Sequence, residues 1–157
     1  MKLKEIVAAY ATEEENKTVV DIQQMSKDEE FRKEVIKEVL AIVKKSPQAC
    51  VVIPAFKSGE KNDHLGQLIN ELALTLQVKT LVTGKIENFK RLRHKPTEVI
   101  ILKQSFREGT ELQKQVSTLK AMGCKVQVLC FLDHSATKLK KFAEENAVCV
   151  QALVDLG

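Results

Sequence analysis

Hydrophobic residues in the first third of the chain recur first at helical spacing and then in a short run. Apolar residues between 3 and 10 follow the helical period and predict a short N-terminal helix, and the acidic residues 13–15 then indicate a loop. The run over 18–22 predicts a short strand. Ser26 and Glu29 have the spacing of a capping box and predict a helix over about 27–45, which Pro47 prevents from continuing.

The remaining two thirds of the chain alternate between apolar runs and helical patterns. Strands are predicted over 49–53, 79–83, 99–102, 126–132 and 148–150, and helices are predicted to begin near Asp63, to end at Gly123 and to begin near Ser135. Continuous apolar runs are typical of parallel strands covered on both faces. The sequence therefore predicts one α/β domain over 1–157, with an N-terminal helix and loop over 1–17 and a core over about 18–155. That core is expected to be a mainly parallel five-stranded sheet flanked by helices.

Composition narrows the class of protein without pointing to an activity. The chain has 157 residues, of which 44% are hydrophobic and 29% charged, and these fractions are typical of a globular domain. No apolar run approaches the roughly 20 residues that cross a membrane, so we expect a cytoplasmic protein without membrane contact. The four cysteines lie far apart and are predicted to be reduced thiols of the core: Cys50, Cys124, Cys130 and Cys149. No histidine pair has metal-binding spacing, so no metal site is predicted.

The net charge of +4 is concentrated in one segment. Between Gly84 and Gln104 there are six basic and two acidic residues, which account for the whole excess. The basic side chains of the connection over 84–96 are Lys85, Lys90, Arg91, Arg93, His94 and Lys95. A solvated surface loop and a loop that contacts a ligand both remain open for this segment.

Ligands of open parallel sheets bind where strands lead into helices, and two further connections of this kind contain suitable residues. The first contains Lys57, Ser58 and Gly59, for which a plain turn is the alternative. The second runs over 103–110, and its polar or glycine positions are Lys103, Gln104, Ser105, Arg107, Gly109 and Thr110. Backbone amides and hydroxyls at such a helix start can bind an anion. Neither the Walker motif nor the dinucleotide-binding glycine motif is present.

These residues resemble the type I phosphoribosyltransferases, and among them the orotate phosphoribosyltransferases. Val99–Leu102 followed by 103–111 is similar to the family's motif for phosphoribosyl pyrophosphate (PRPP), in which four apolar residues precede two acids and a phosphate loop. Gly109 and Thr110 match loop positions. The resemblance implies a pyrophosphate loop at 57–59, a flexible basic loop at 84–96 and a homodimer.

The PRPP motif departs from the family pattern at its charged positions. Lys103 and Gln104 stand where the family has the acidic pair that holds the ribose hydroxyls, and Arg107 and Glu111 stand where Thr or Ser is usual. An ammonium group and an amide reverse the local charge and remove acceptors for a diol. The sequence therefore predicts a catalytically degenerate relative that binds a phosphorylated small molecule or a partner protein.

Two alternatives remain open at this point. An active orotate phosphoribosyltransferase of pyrimidine nucleotide metabolism would need Mg²⁺ and acidic residues from elsewhere, for which Asp133 is the nearest candidate in the sequence. Nucleic-acid binding through 85–95 is suggested by the basic residues. Phe89 is the only aromatic residue there, so base stacking has little support.

Overall fold

The structure is a computed structural model and describes residues 2–45, 50–54, 71, 80–83, 97–106, 109–133, 135 and 137–156. Its helices are α1 (Lys2–Ala9), α2 (Ile22–Lys27), α3 (Glu29–Val43), α4 (Thr110–Ala121) and α5 (Lys138–Asn146). Its strands are β1 (Ala11–Glu14), β2 (Lys17–Val20), β3 (Cys50–Pro54), β4 (Thr80–Thr83), β5 (Glu98–Phe106), β6 (Lys125–Asp133) and β7 (Cys149–Asp155). The predicted helix that begins near Asp63 lies outside the described residues, apart from Glu71, which is helical.

The strands form two sheets. The large sheet has the order β4-β3-β5-β6-β7, and each pair of neighbours runs parallel. Strands β1 and β2 form a separate antiparallel hairpin. All parallel strands end at the same edge of the sheet, and two of the described strands, β5 and β6, lead there into α4 and α5. This edge is where the sequence places its candidate ligand loops.

Buried side chains divide into two clusters, one on each face of the large sheet. On the first, called here the α1/α3 face, Leu3, Phe31 and Val35 pack against Ile100 and Phe131. On the second, the α4/α5 face, side chains of β5 and β6 pack against the two helices: Val99, Ile101, Val128 and Cys130 against Leu112, Val116, Leu139 and Phe142. Alternate strand residues point to opposite faces, so one apolar run supplies both clusters. The α/β class with helices on both faces is confirmed.

Helices α4 and α5 of the α4/α5 face are also joined at their C-terminal ends. The ammonium group of Lys120, in the last turn of α4, donates to the carbonyl oxygens of Asn146 and Ala147 at 2.6 and 2.9 Å. Because these are the last carbonyl oxygens of α5, the lysine serves as a C-terminal cap from a neighbouring helix. The left-handed Gly123 after α4, with φ +86°, agrees with the predicted helix end.

The N-terminal region differs from its prediction in two ways. The expected loop after α1 contains β1, which pairs with β2, so the run over 18–22 belongs to a hairpin and not to the parallel sheet. Glu15 and Asn16 adopt positive φ at its turn, a conformation that the hydrophobic pattern does not reveal. The predicted helix over about 27–45 is found as α3 over 29–43, and a separate short helix, α2, precedes it. The cap of α3 is Asp28 and not Ser26, since Asp28 Oδ1 accepts from the amides of Glu30 and Phe31.

One cysteine prediction is wrong. Cys124 and Cys130 are buried as expected, but Cys149 is exposed because it lies at the start of β7, the outermost strand on its side of the sheet. The side chain of Cys50 lies outside the described residues. Among the described residues, no helix is long and apolar enough to cross a membrane.

Candidate ligand-binding site

Strand β5 is longer than its apolar run and carries part of the predicted phosphate loop. Lys103, Gln104 and Ser105 lie within the strand, which continues to Phe106, so the prediction that a loop begins at 103 is wrong. The strand continues because its backbone pairs with β6 up to Phe106 opposite Asp133. The connection to α4 therefore begins only after Phe106.

Lys103 lies on the α4/α5 face of the sheet, near the carboxyl end of β5. Val99 and Ile101 pack on this face, and strand alternation puts Lys103 on the same side. Its ladder partner is Cys130 of β6. The residue is half-buried, which is unusual for a lysine and brings a positive charge close to the core.

Gly109 sets the start of α4. Its φ is +78°, in the left-handed region that side chains rarely adopt. A Cβ atom there would lie 2.6 and 2.8 Å from Cε2 and Cζ of Phe106, and 3.1 Å from Cδ2 of Phe142. The two phenyl rings pack edge to face with centroids 5.4 Å apart, so they leave no space for a side chain. Gly109, the Ncap residue, therefore offers no side chain to the first amides of α4.

The connection from β6 to α5 is built differently. Asp133 is 4% exposed, and its Oδ1 accepts from the amide of Ser135 at 2.9 Å and from the hydroxyl of Ser135 at 2.5 Å. The Ser135 hydroxyl in turn accepts from the amide of Leu139 at 3.1 Å, which confirms that Ser135 opens this helix. The amide of Leu156 also donates to the carbonyl oxygen of Asp133. These bonds give Asp133 a structural role at the edge of the site.

Burial and nearby charges both shift the pKa of Cys130, which lies on β6 three residues before Asp133. Desolvation by burial, followed by the negative charge of Asp133, raises the pKa of the thiol to about 12, although a backbone hydrogen bond with Leu132 and the charge of Lys103 act in the opposite direction. The thiol donates to the Leu132 carbonyl oxygen at 3.1 Å. Cys130 therefore stays protonated at neutral pH and offers no nucleophile to the site.

Only part of the predicted site falls within the described residues. Lys103 and Gly109 lie at one strand-to-helix connection, and the backbones of Gln104, Ser105 and Thr110 belong to β5 and α4. The other predicted residues lie outside the described part of the chain: Lys57, Ser58, Gly59, Lys85, Lys90, Arg91, Arg93, His94, Lys95 and Arg107. Their roles stay predictions. Within the described ranges, no group of His, Cys, Asp or Glu side chains is arranged to hold a metal ion.

Sequence reasoning missed a cleft beside this connection. A cavity of about 370 Å³ lies between the start of α4 and one side of α5, where Gly109 faces Lys138, Phe142 and Asn146. The residues of α5 recur at helical spacing, but nothing in the sequence indicated which helix would face them. The Asp-x-Ser pattern before α5 was the available signal for the Asp133 network.

Comparison with known proteins gives a clear result for the fold. No protein-family model matches the chain, and no curated protein matches it in sequence. The structure of orotate phosphoribosyltransferase from Aeropyrum pernix superposes with a TM-score of 0.66 at 14% identity, over 98% of this chain and 94% of that one. The chain has the phosphoribosyltransferase fold.

Two further enzymes show that this fold similarity extends beyond one substrate. The adenine phosphoribosyltransferase of Giardia lamblia, complexed with 9-deazaadenine, has a TM-score of 0.66 at 15% identity, with 97% of both chains covered. Orotate phosphoribosyltransferase from Mycobacterium tuberculosis, in complex with inorganic phosphate, has a TM-score of 0.59 at 12% identity over 99% of this chain and 94% of that one. The phosphoribosyltransferase fold is therefore shared with enzymes that act on different bases, and the fold itself does not select a substrate.

Proposed function

We propose that the chain binds a phosphorylated small molecule at the carboxyl ends of β5 and β6 without transferring its ribose phosphate. The observation that carries the proposal is Lys103, a half-buried cation at a strand end of the phosphoribosyltransferase fold. The resemblance places an acidic residue at this position. A lysine there attracts a phosphate and repels Mg²⁺, whereas a carboxylate does the reverse.

The start of α4 supports an anionic ligand. Gly109 provides no side chain of its own to the first turn of the helix, and amides at such a turn bind anions. Lys103 lies on β5, three residues before the end of the strand that leads to these amides. Phosphate bound to another protein of this fold, the Mycobacterium tuberculosis enzyme, is consistent with the proposed ligand class.

Retained catalysis has weaker support. An active orotate phosphoribosyltransferase would need acceptors for the ribose hydroxyls, and Asp133 was the nearest acidic candidate. Its Oδ1 already accepts two bonds from Ser135, and the residue is 4% exposed. A carboxylate held in this way favours a structural role over diol binding. A protein partner and a homodimer remain further proposals, and the basic segment of the nucleic-acid alternative lies outside the described residues.

Calorimetric titration with PRPP, with and without Mg²⁺, tests the proposal. We expect binding that does not require Mg²⁺ and no formation of orotidine 5'-phosphate after orotate is added. Lys103→Ala is expected to weaken binding about tenfold or more, because a hydrogen bond to a charged group contributes about 1.5–3 kcal/mol. Lys125→Ala is the matched control, since Lys125 is exposed at the opposite end of β6.

Each result of this titration has a defined meaning. Binding that requires Mg²⁺, followed by orotate consumption, would overturn the proposal and restore the enzyme. Equal weakening by Lys103→Ala and Lys125→Ala would show that only general surface charge is involved. No binding of PRPP, with or without Mg²⁺, would also overturn it.

A further inference from the structure

Strand β7 is an edge of the large sheet without the features that normally protect one. It is the last strand in the sheet order, and no described strand pairs with its outer side. Its residues, Cys149–Asp155, include one charged residue and neither proline nor lysine. Its register with β6 keeps the same offset throughout, so it contains no bulge. Soluble proteins commonly protect a sheet edge with charges, prolines or bulges, and an edge that lacks them is suited to pair with another strand.

The backbone groups along this edge have a defined direction. The amide of Leu156 donates to the carbonyl oxygen of Asp133 at 2.8 Å, so the amide of residue 156 points toward β6. Backbone groups alternate in direction along a strand, so those of Cys149, Gln151 and Leu153 point away from β6. The side chains of Cys149 and Gln151 are exposed, so the first half of the strand is uncovered. The edge therefore presents a row of donors and acceptors to solvent.

Helix α5 brings both signs of charge to the same edge. It lies against β7, whereas α4 lies against β6. The side of α5 that faces α4 is identified by Lys141 and Glu145, which line the cleft. At 3.6 residues per turn, Lys140, Ala143 and Glu144 lie on the other side of the helix, toward the outer edge of β7. Lys140 and Glu144 are exposed there, and the small side chain between them allows another helix to approach closely.

The order of charges along α5 opposes the dipole of the helix. Lysines occupy its first half and glutamates its second half: Lys138, Lys140, Lys141, Glu144 and Glu145. Negative charge is favourable at the start of a helix and positive charge at its end, so this arrangement destabilises the helix on its own. A second α5 running antiparallel would bring the basic half of each helix opposite the acidic half of the other. The same arrangement then becomes attractive across an interface.

We propose that β7 pairs antiparallel with β7 of a second copy of this chain, and that the two α5 helices pack antiparallel across the same two-fold axis. The five-stranded sheets of the two copies then form one continuous sheet. Helix α5 connects β6 to β7 and lies over the space between these strands. Because neighbouring strands are about 4.8 Å apart, two-fold symmetry at the outer edge of β7 places the two helix axes about 10 Å apart. Packed helices lie roughly 8–10 Å apart.

One register agrees with both the strand and the helix. With Ala152 on the axis, every residue of β7 is paired, because Ala152 is the middle residue of the strand. In α5, Lys140 and Glu144 are equally far from Phe142, which belongs to the cluster against which Ala152 packs. The same axis therefore puts Lys140 opposite Glu144 of the second copy, and Glu144 opposite Lys140 of that copy. An interface between identical surfaces requires this kind of self-complementary charge. It shares no residue with the proposed anion site.

Sedimentation equilibrium of the full chain and of charge variants tests this inference. We expect the wild type to be a dimer. Lys140→Glu and Glu144→Lys each place like charges opposite one another, so each should weaken dimerisation about tenfold. An equimolar mixture of these two variants should recover the wild-type affinity, because each copy then meets the opposite charge at both positions. Lys141→Glu is the matched control and should leave the affinity unchanged, since Lys141 is exposed on the α4 side of the same helix.

Gln151→Pro tests the strand pairing separately. The amide of residue 151 points away from β6, so proline removes a donor to the second copy without removing a bond within the sheet. We expect a monomer with the far-ultraviolet circular dichroism spectrum of the wild type. If this variant does not fold, the charge variants still decide the question, because they change only exposed side chains of α5.

Three results would overturn the inference. A wild type that stays monomeric at every concentration would show that the β7 edge serves a different partner or none. Equal weakening by Lys141→Glu, or a mixture of the two charge variants that does not recover, would show that α5 does not meet a second α5. A folded Gln151→Pro variant that dimerises as the wild type does would place the interface elsewhere.

Discussion

The two strand-to-helix connections on the α4/α5 face have the same topology but differ in how the helix start is capped. After β6, the Asp133 carboxylate and the Ser135 hydroxyl bond to each other and to the start of α5. After β5, the helix starts at a glycine that has no side chain for capping. Amides that the chain itself satisfies are closed to a ligand, and amides left bare can accept one. The turn after β6 is therefore structural, whereas the turn after β5 is the one at which we propose an anion to bind.

Gly109→Ala should have the largest effect on stability and on anion binding, because it alters the start of α4. The substitution places a Cβ in a left-handed conformation and against the Phe106 ring. Left-handed strain costs about 1–2 kcal/mol. Overpacking adds about 1–3 kcal/mol. We therefore expect roughly 2–5 kcal/mol of destabilisation in urea unfolding, with loss of anion binding.

Gly123→Ala is the control for this prediction. Gly123 also has a positive φ, but a Cβ there would meet nothing within 4 Å. It should therefore cost only the backbone strain of about 1–2 kcal/mol. Equal losses for the two variants would show that the Phe106 and Phe142 rings do not restrict the start of α4.

Ser135→Ala should have the next largest effect on stability, because it removes the hydroxyl that bonds to Asp133 and to the start of α5. It removes the hydroxyl donor to the buried Asp133 carboxylate oxygen, whereas the amide donor of residue 135 remains, and it removes the acceptor for the Leu139 amide. A buried group left without a partner costs about 1–3 kcal/mol, which urea unfolding will measure. Ser117→Ala, at an exposed position of α4, is expected to be near neutral.

The rate of Cys130 labelling measures how far Ser135→Ala lowers the local stability of the connection between β6 and α5. Cys130 is protected in the native protein by burial and by its raised pKa, whereas Cys149 is exposed and provides an internal standard. In Ser135→Ala, each 1.4 kcal/mol of lost local stability should speed Cys130 labelling about tenfold. An unchanged ratio of Cys130 to Cys149 labelling would show that the β6 connection does not depend on Ser135.

The smallest effect is expected at α3, whose start is capped by the Asp28 carboxylate. The Tyr10 hydroxyl donates to Asp28 Oδ2 at 2.7 Å, which raises the pKa of Tyr10 above 10.0 and lowers the pKa of Asp28 below 3.8. The lowered Asp28 pKa stabilises the fold above pH 3.8, and this stability is lost as pH falls through the folded value. The raised Tyr10 pKa stabilises the fold below pH 10, and this stability is lost as pH rises through the folded value.

Tyr10→Phe measures this contribution. The melting temperature of the variant should be lower than that of the wild type between about pH 5 and 9, and the difference should shrink toward both extremes. A constant difference from pH 2 to 11 would contradict the assignment to this hydrogen bond.

The sequence was sufficient for the parallel strands and for α3, α4 and α5, because apolar periodicity directly reflects burial against the sheet. Ser135 and Gly123 were identified as helix boundaries by their local chemistry. The end of β5 was not, because polar residues 103–105 continue a strand only through pairing with β6. The β1–β2 hairpin was missed for a similar reason, since its exposed acidic residues are typical of a loop. The cleft depends on which helices become neighbours, and tertiary packing decides that.

The bonds from Lys120 to the end of α5 have a consequence for motion in this region. They fasten α4 and α5 together at their C-terminal ends, whereas Gly109 and Lys138 lie at the other end of the pair. We therefore expect relative motion of the two helices to be smallest near Lys120 and to increase toward their N-terminal ends. Relaxation-dispersion measurements on the μs–ms timescale should detect exchange that grows from Lys120 toward Gly109.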